Sequence, residues 1–253
     1  MTSSQRVIKI FAQALAYFII ASIIISAVSF VYFISPKKAA KNITRDLQIK
    51  NDITSLDIDL KKSTLTIKTG DKYKIEAPEY VKTTVLDQKL QIKEKKNVYK
   101  KSNIVLYIPD TLYDDIYINA GIGKIDITNL YTTNLTLKAG VGEISIDKLN
   151  VMNKFILDGG VGEVDIKNAY INSLDLDSGV GNIKLQTILK DTSYIDLGVG
   201  NVDLDLDNAL EYSFSISKGI GSVSVFGENA TGNFGSGDTL IKIDGGIGNI
   251  SVY

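Results

Sequence analysis

The stretch 159-GGVGEVDIKNAY-170 contains the pattern that decides the fold. Two glycines enclose one aliphatic residue, alternating apolar and polar residues follow, and versions of this pattern occur seven times in the chain. Three uses of glycine produce such a motif: binding phosphate, wrapping calcium, or turning the corner of a repeating scaffold. The spacing of the motifs and the residues around the glycines discriminate between these uses.

The seven motifs recur at a nearly constant distance. The intervals between their first glycines are 19, 20, 19, 19, 21 and 27 residues. A fixed period of this length is typical of stacked-repeat proteins. We therefore predict that the motif glycines form structural corners: Gly121, Gly123, Gly140, Gly142, Gly160, Gly162, Gly179, Gly181, Gly198, Gly200, Gly219, Gly221, Gly246 and Gly248.

Apolar columns accompany the glycines. In the second motif they are represented by Leu137, Val141, Ile144 and Ile146, and every other motif has an apolar residue at the same four positions. Apolar residues two apart with polar residues between them predict half-buried strands, two in each repeat. The step of three between Val141 and Ile144 predicts a bend at which two neighbouring residues point outward.

These columns predict an all-β fold. Identical positions would stack in parallel ladders, so we predict a right-handed parallel β-solenoid with two-strand rungs of about 20 residues. An antiparallel sandwich is the alternative, but hairpins give no reason for so constant a spacing. The regular repeats occupy residues 119–253, and weaker strand patterns in residues 46–118 predict an irregular N-terminal cap.

The start of the chain predicts a membrane anchor. Residues 10–34 carry no charge, and a helix of this length would span roughly 37 Å, more than the ~30 Å hydrocarbon core. We predict a short tail at 1–9, a transmembrane helix at 10–34 and a basic linker at 35–45. A cleavable signal peptide is the alternative, since Ala27-Val28-Ser29 resembles a cleavage site. Charge leaves the orientation open, because the positive-inside rule weakens for a long following domain.

The glycine motif does not match a phosphate or calcium site. A dinucleotide loop needs a third glycine and a following helix, and neither is indicated in any of the motifs. A calcium roll needs Asp two residues after the last glycine. Val164 stands there in the quoted motif, and Asp165 follows one residue later on the opposite face. Both of these interpretations of the glycines fail.

A looser cation site is compatible with the sequence. Asp158, Asp177 and Asp196 occupy one outward column, flanked by Asp175, and stacked carboxylates could bind calcium weakly. The simpler interpretation is an acidic face that keeps the solenoid soluble and discourages lateral aggregation. We therefore predict no firm metal site and no cofactor.

The composition argues against catalysis. The chain has no His and no Cys, and Arg6 and Arg45 are its only arginines. Triads, imidazole bases and thiolate metal sites are therefore excluded. A pair of carboxylates could hydrolyse a glycosidic bond, but no sequence feature indicates the cleft that would raise one pKa.

Two features predict interactions. Lysines could contact anionic lipid headgroups in the segment around residues 93–102: Lys93, Lys95, Lys96, Lys100 and Lys101. The sequence ends at Tyr253 within a predicted strand, which would leave an open edge for a partner strand unless the glycine-rich loop 227–238 covers it. Nothing indicates nucleic-acid binding.

The apolar N-terminal segment, the stretch LYIPDTL (106–112) and the tandem glycine motifs resemble the bacterial "putative adhesin" family of membrane-anchored β-strand-repeat envelope proteins, which includes LiaG-like members. The resemblance covers residues 40–253. It implies a single-pass protein of the bacterial cytoplasmic membrane with its solenoid outside, and it supplies no catalytic residues. The expected function is a binding surface in the cell envelope, with a role in envelope-stress sensing. A scaffold that regulates a membrane sensor through its helix and a carboxylate-dependent glycan hydrolase are the alternatives.

Overall fold

The computed structural model describes residues 41–47, 49, 52–95, 102–207, 211–229 and 232–253. The predicted tail and transmembrane helix lie outside these residues. Within them, all regular structure is β-strand, and no helix is long and apolar enough to cross a membrane.

The strands of the described residues are, in chain order, β1 (Ile43–Asp46), β2 (Ser55–Leu60), β3 (Thr64–Thr69), β4 (Lys74–Ala77), β5 (Val81–Leu86), β6 (Lys89–Glu94), β7 (Asn103–Ile108), β8 (Tyr113–Ile122), β9 (Ile125–Ile127), β10 (Leu130–Val141), β11 (Ile144–Ile146), β12 (Leu149–Asp158), β13 (Val164–Val180), β14 (Ile183–Leu189), β15 (Ser193–Val199), β16 (Val202–Leu206), β17 (Tyr212–Ile220), β18 (Val223–Val225), β19 (Glu228–Asn229), β20 (Gly232–Phe234), β21 (Thr239–Ile247) and β22 (Ile250–Val252).

The central strands stack in parallel and in register. Leu137 of β10 pairs with Ile118 of β8 on one side and with Leu157 of β12 on the other. Equivalent residues of successive repeats are thus neighbours in space, as the apolar columns predict. The predicted all-β solenoid is confirmed.

Each central turn has three faces, and the predicted two-strand rung was wrong. The long face carries the segment before the glycine pair, such as 134–138, and the short face carries the segment after it, such as 144–146. A third face is formed by residues 149–151, which pair with 130–132 and 169–171. Its inward column was missed because it includes the small Ala169 and the polar Thr132 beside larger apolar residues.

The interior is filled by the stacked apolar columns. Leu137, Phe155 and Ile146 have no exposed surface, and Ile144 and Leu157 are 1% exposed. Complete burial of such a side chain contributes about 1.5–3 kcal/mol to folding. Since every turn repeats this burial against its neighbours, stability resides in the contacts between turns.

The glycine pairs turn the corner between the long and short faces. The second glycine of each motif has a positive φ, between +142° and +159°. At Gly181 a Cβ atom would lie 1.6 Å from the carbonyl oxygen of Gly162 in the preceding turn. A side chain is therefore excluded there by both backbone conformation and the stacking distance.

The aliphatic residue between the two glycines points outward, which corrects the predicted direction of this column. Val141, Val161 and Val180 are 50%, 47% and 46% exposed. The alternation is interrupted two residues earlier than the sequence suggested, after Ala139 instead of Val141, because the corner begins at the first glycine. Buried positions resume at the fourth residue after that glycine, as at Ile144.

The last turn in the chain is not the last turn in space. β21 lies between β15 and β17, and β22 lies between β16 and β18, all in parallel. The prediction of an open edge at Tyr253 was wrong, because the strand that precedes Tyr253 is paired on both sides. The exposed end of the stack is instead formed by β17 and β18.

The glycine-rich loop closes this end in part. β20 pairs antiparallel with β17, and β19 pairs antiparallel with β18. Both strands belong to the segment 227–238, which lies within the longest interval between motifs, the 27 residues from Gly219 to Gly246. Short antiparallel strands at an edge limit the addition of further strands.

At the N-terminal end, too, the order of the turns in space differs from their order in the chain. β2 lies between β6 and β8, and β3 lies between β7 and β9. Outside them, β5 pairs antiparallel with β6, β4 with β7, and β1 with β4. The parallel stack therefore gives way to antiparallel strands at both ends.

A buried carboxylate completes the N-terminal end. Glu94 is 4% exposed. Its Oε2 accepts hydrogen bonds from the backbone N–H groups of Lys61 and Lys62 at 2.7 and 3.0 Å, and its Oε1 accepts one from Ser63 Oγ at 2.8 Å. In central turns such corner N–H groups bond to carbonyls of the next turn, as Gly142 N does to Val161 O at 2.9 Å. Glu94 replaces those carbonyls.

Candidate functional site

The outer surface of the long face carries a continuous row of carboxylates. Asp158 pairs with Asp177, Asp177 with Asp196, and Asp196 with Asp244 on successive parallel strands. We call these four residues the acidic ladder. Asp244 joins it because β21 lies beside β15, an exchange that the order of the motifs in the sequence does not reveal.

Only the ends of the acidic ladder contact polar side chains outside it in the described residues. Asp158 Oδ2 lies 3.8 Å from Lys138 Nζ, and Asp244 Oδ1 accepts a hydrogen bond from Ser217 Oγ at 3.2 Å. At the centre, burial and the charges of Asp177 and Asp244 raise the pKa of Asp196 above its ordinary value. The centre of the ladder, Asp177 and Asp196, therefore concentrates negative charge without an ion pair in the described residues.

An open depression lies over the acidic ladder. Its volume is about 420 Å³, and its lining includes Asp177, Tyr194, Asp196, Lys242 and Asp244. The Tyr194 ring is 46% exposed, and Lys242 Nζ lies 5.1 Å from the ring centroid. The depression thus offers an aromatic face, a cation and a row of carboxylates to a ligand from solvent.

The proposed weak calcium ligands lie in a row instead of around one point, and calcium binding by them stays a prediction. Asp158, Asp177 and Asp196 stand side by side on neighbouring strands, and Asp175 is held by Lys154 with an Oδ2–Nζ distance of 3.1 Å. In the described residues no group of three or more acidic side chains is placed to hold a metal ion. Parallel stacking aligns the carboxylates along a line instead of directing them at one point.

A second polar row, which the sequence reasoning missed, follows the glycine corners. Asn201 N–H donates to Asn182 Oδ1 at 3.1 Å, Asn249 N–H to Asn201 Oδ1 at 3.0 Å, and Ser222 N–H to Asn249 Oδ1 at 3.0 Å. We call the three asparagines of this row, Asn182, Asn201 and Asn249, the amide ladder. The repeated Gly-Asn that precedes Ile183, Val202 and Ile250 was its signal in the sequence.

The lysines proposed to contact lipid are only partly described. Lys93 Nζ lies 3.6 Å from Asp57 Oδ2, and Lys95 is exposed. Lys96, Lys100 and Lys101 lie outside the described residues. Lipid contact by this segment stays a prediction.

A match to one protein family shows to which family the chain belongs. The family described as Toastrack DUF4097 matches residues 44–236, which include the glycine corners from Gly121 to Gly221. The chain belongs to this family. The Toastrack match confirms the predicted family of β-strand-repeat proteins, whereas membership of the LiaG-like subgroup stays a prediction. None of the curated proteins that were compared matches the sequence.

Solved structures similar to this Toastrack chain include proteins from the following three bacteria. A putative cell adhesion protein from Clostridium sporogenes is 17% identical, with 84% of this chain and 98% of that one covered and a TM-score of 0.39. A putative adhesin from Bacteroides fragilis is 17% identical, with 86% and 99% covered and a TM-score of 0.42. A putative adhesin from Parabacteroides distasonis is 13% identical, with 86% and 99% covered and a TM-score of 0.41.

Proposed function

We propose that this Toastrack protein is a non-enzymatic binding protein of the bacterial cell envelope. In this proposal a transmembrane helix at residues 10–34 holds the solenoid, of right-handed sense, outside the cytoplasmic membrane. The solenoid displays a ligand-binding face, and occupancy of that face reports on the state of the envelope. The apolar N-terminal segment and the adhesin descriptions of similar structures support the proposal.

The observation that carries the proposal is the exposed chemistry of the long face. Tyr194, Lys242 and the acidic ladder line a depression that is open to solvent. An aromatic face stacks on sugar rings, and carboxylates accept hydrogen bonds from hydroxyl and ammonium groups. The surface therefore suits a hydroxyl-rich wall polymer that is uncharged or cationic.

The same geometry disfavours the glycan-hydrolase alternative. Asp177 and Asp196 face open water, although the pKa of Asp196 is raised. Hydrolysis needs a carboxylic acid and a carboxylate arranged around one bond within a shaped site. A flat row on a sheet surface supplies binding groups without that enclosure. The alternative of a scaffold acting through its transmembrane helix rests on residues that the structure does not describe.

Binding to isolated cell walls tests the proposed function. We expect the protein to cosediment with purified wall sacculi, and Tyr194→Ala to weaken this binding about tenfold, or 1.4 kcal/mol. Tyr170→Ala is the matched control, because Tyr170 is also exposed and has Lys190 Nζ 5.8 Å from its ring centroid, but lies on the third face. Absence of cosedimentation, or equal losses in the two variants, would contradict the proposal.

A further inference from the structure

The aliphatic residues between the glycines form one continuous line along the solenoid, and all of them are exposed except the half-buried Ile122. Neighbours in this line are paired across the strands. In spatial order the line consists of Ile122, Val141, Val161, Val180, Val199, Ile247 and Ile220. We call it the aliphatic ridge. With strands about 4.8 Å apart, its six intervals span roughly 29 Å.

Folding alone does not explain the aliphatic ridge. Its side chains lie outside the core, and Ile220 at the end of the stack is 71% exposed. A preference of the backbone for β-branched residues would be satisfied equally by threonine, which is polar and never occurs at this position in the seven motifs. A contiguous exposed apolar line of this length is typical of an interaction surface.

The surroundings of the aliphatic ridge have a definite shape. Each ridge residue stands between two glycines, as Val180 stands between Gly179 and Gly181. The glycines carry no side chains, so a shallow trough runs along each side of the ridge. Beyond one trough lies the acidic ladder, represented by Asp177, and beyond the other lies the amide ladder, represented by Asn182.

We propose that the aliphatic ridge binds a second copy of this chain, side by side and parallel. With a two-fold axis along the solenoid, each ridge enters the trough of the other copy. The acidic ladder of one copy then faces the amide ladder of the other at the same levels, for example Asp177 opposite Asn182. Amide Nδ2 groups donate to carboxylates, which compensates the negative charge left unpaired in one copy. Tyr194 and Lys242 lie on the side of the acidic ladder away from the ridge, so they stay open to the ligand of the proposed function.

The charged residues on the turns nearer the N-terminal end also favour the parallel arrangement. Lys138 would face Glu143 of the second copy, a pair of opposite charge. Asp158 would face Glu163, but each already has a lysine within 4 Å: Lys138 at 3.8 Å and Lys184 at 3.1 Å. In an antiparallel pair the acidic ladder would meet itself, and Asp177 would oppose its own copy. Three levels of opposed carboxylates disfavour that arrangement more than the single lysine-compensated pair disfavours the parallel one.

Single-cysteine cross-linking of the full-length chain in membranes tests this proposal, since the natural sequence contains no cysteine. In a parallel pair every ridge position lies opposite itself. We therefore expect Ile122→Cys, Val180→Cys and Ile247→Cys each to form a dimer with a short bis-maleimide. Met152→Cys is the matched control, because Met152 is 47% exposed but lies off the ridge, and it should remain monomeric.

A disrupting variant keeps the test independent of the cross-linker. Val161→Asp in the Val180→Cys background places a charge in the ridge without touching the core, and we expect the cross-linked fraction to fall at least about tenfold. Dimers at Val180 alone would indicate an antiparallel pair and overturn the parallel arrangement. Monomers at all three ridge positions, or adducts only to a protein of different mass, would overturn the proposal of a second copy.

Discussion

Gly181→Ala is expected to destabilise the solenoid by at least about 3 kcal/mol. Its Cβ atom would lie 1.6 Å from the carbonyl oxygen and 2.6 Å from the carbonyl carbon of Gly162. Both are backbone atoms of the preceding turn, so relief requires the two turns to separate. The φ of +149° adds strain for any residue with a side chain.

Separation of two turns affects the whole molecule, because stability in a stacked-repeat protein comes from contacts between neighbours. We expect a lower midpoint of urea unfolding, measured by circular dichroism. We also expect faster proteolysis at the weakened turn. Gly227→Ala is the control: Gly227 has a φ of +83°, but a Cβ atom added there would meet no other atom within 4 Å, so the variant should lose only about 1 kcal/mol. Equal losses in the two variants would show that stacking distance does not determine the glycine corners.

Glu94→Ala is expected to cost about 3 kcal/mol or more, although it removes a charged residue from a largely apolar interior. The substitution leaves the N–H groups of Lys61 and Lys62 without their acceptor at the end of the stack. It also removes one of the two hydrogen-bond partners of the buried Ser63 Oγ, which keeps Ser102 Oγ at 2.8 Å. A buried donor without an acceptor costs about 1–3 kcal/mol, these two N–H groups are part-buried, and the volume that the side chain vacates adds to the cost.

Two further variants separate the hydrogen bonds from the charge. Glu94→Gln retains an oxygen that can accept both backbone N–H groups, so the expected loss is about 1 kcal/mol. Glu143→Ala removes an exposed carboxylate whose Oε1 lies 3.0 Å from Lys124 Nζ, and it should change stability by less than about 1 kcal/mol. Unfolding in urea measures all three. A loss in Glu94→Ala no larger than that in Glu143→Ala would contradict the capping role of Glu94.

The repeating part of the fold could be predicted because its physical cause is local and periodic. A strand that stacks on copies of itself must place the same residue type at the same level, so Leu137, Leu157 and Leu176 appear as a column in the sequence. The third face was missed because its inward positions include small and polar residues, such as Ala169 and Thr187, beside apolar ones. The direction of Val141 was misread because hydrophobicity alone does not distinguish a core residue from an exposed ridge.

The exchange of turns at both ends could not be predicted from the columns. Equivalent residues of every repeat are interchangeable in a parallel ladder. The strand that carries Asp244 could therefore pair in register with the strand of Ser217 or with the strand of Asp196. The structure places it between them. The candidate site depends on this exchange, because it extends the acidic ladder and brings Lys242 to Tyr194. Only the 27-residue interval before the last motif distinguished this repeat in the sequence.

The location of the solenoid is the most direct test of the account as a whole. A specific protease site inserted after Asp191, in the exposed turn between β14 and β15, makes the folded solenoid cleavable from solvent. The proposal predicts cleavage on intact cells whose outer barriers admit the protease, while a cytoplasmic marker with the same site stays whole. Protection of the solenoid until the cells are lysed would place it in the cytoplasm and contradict a binding function in the envelope.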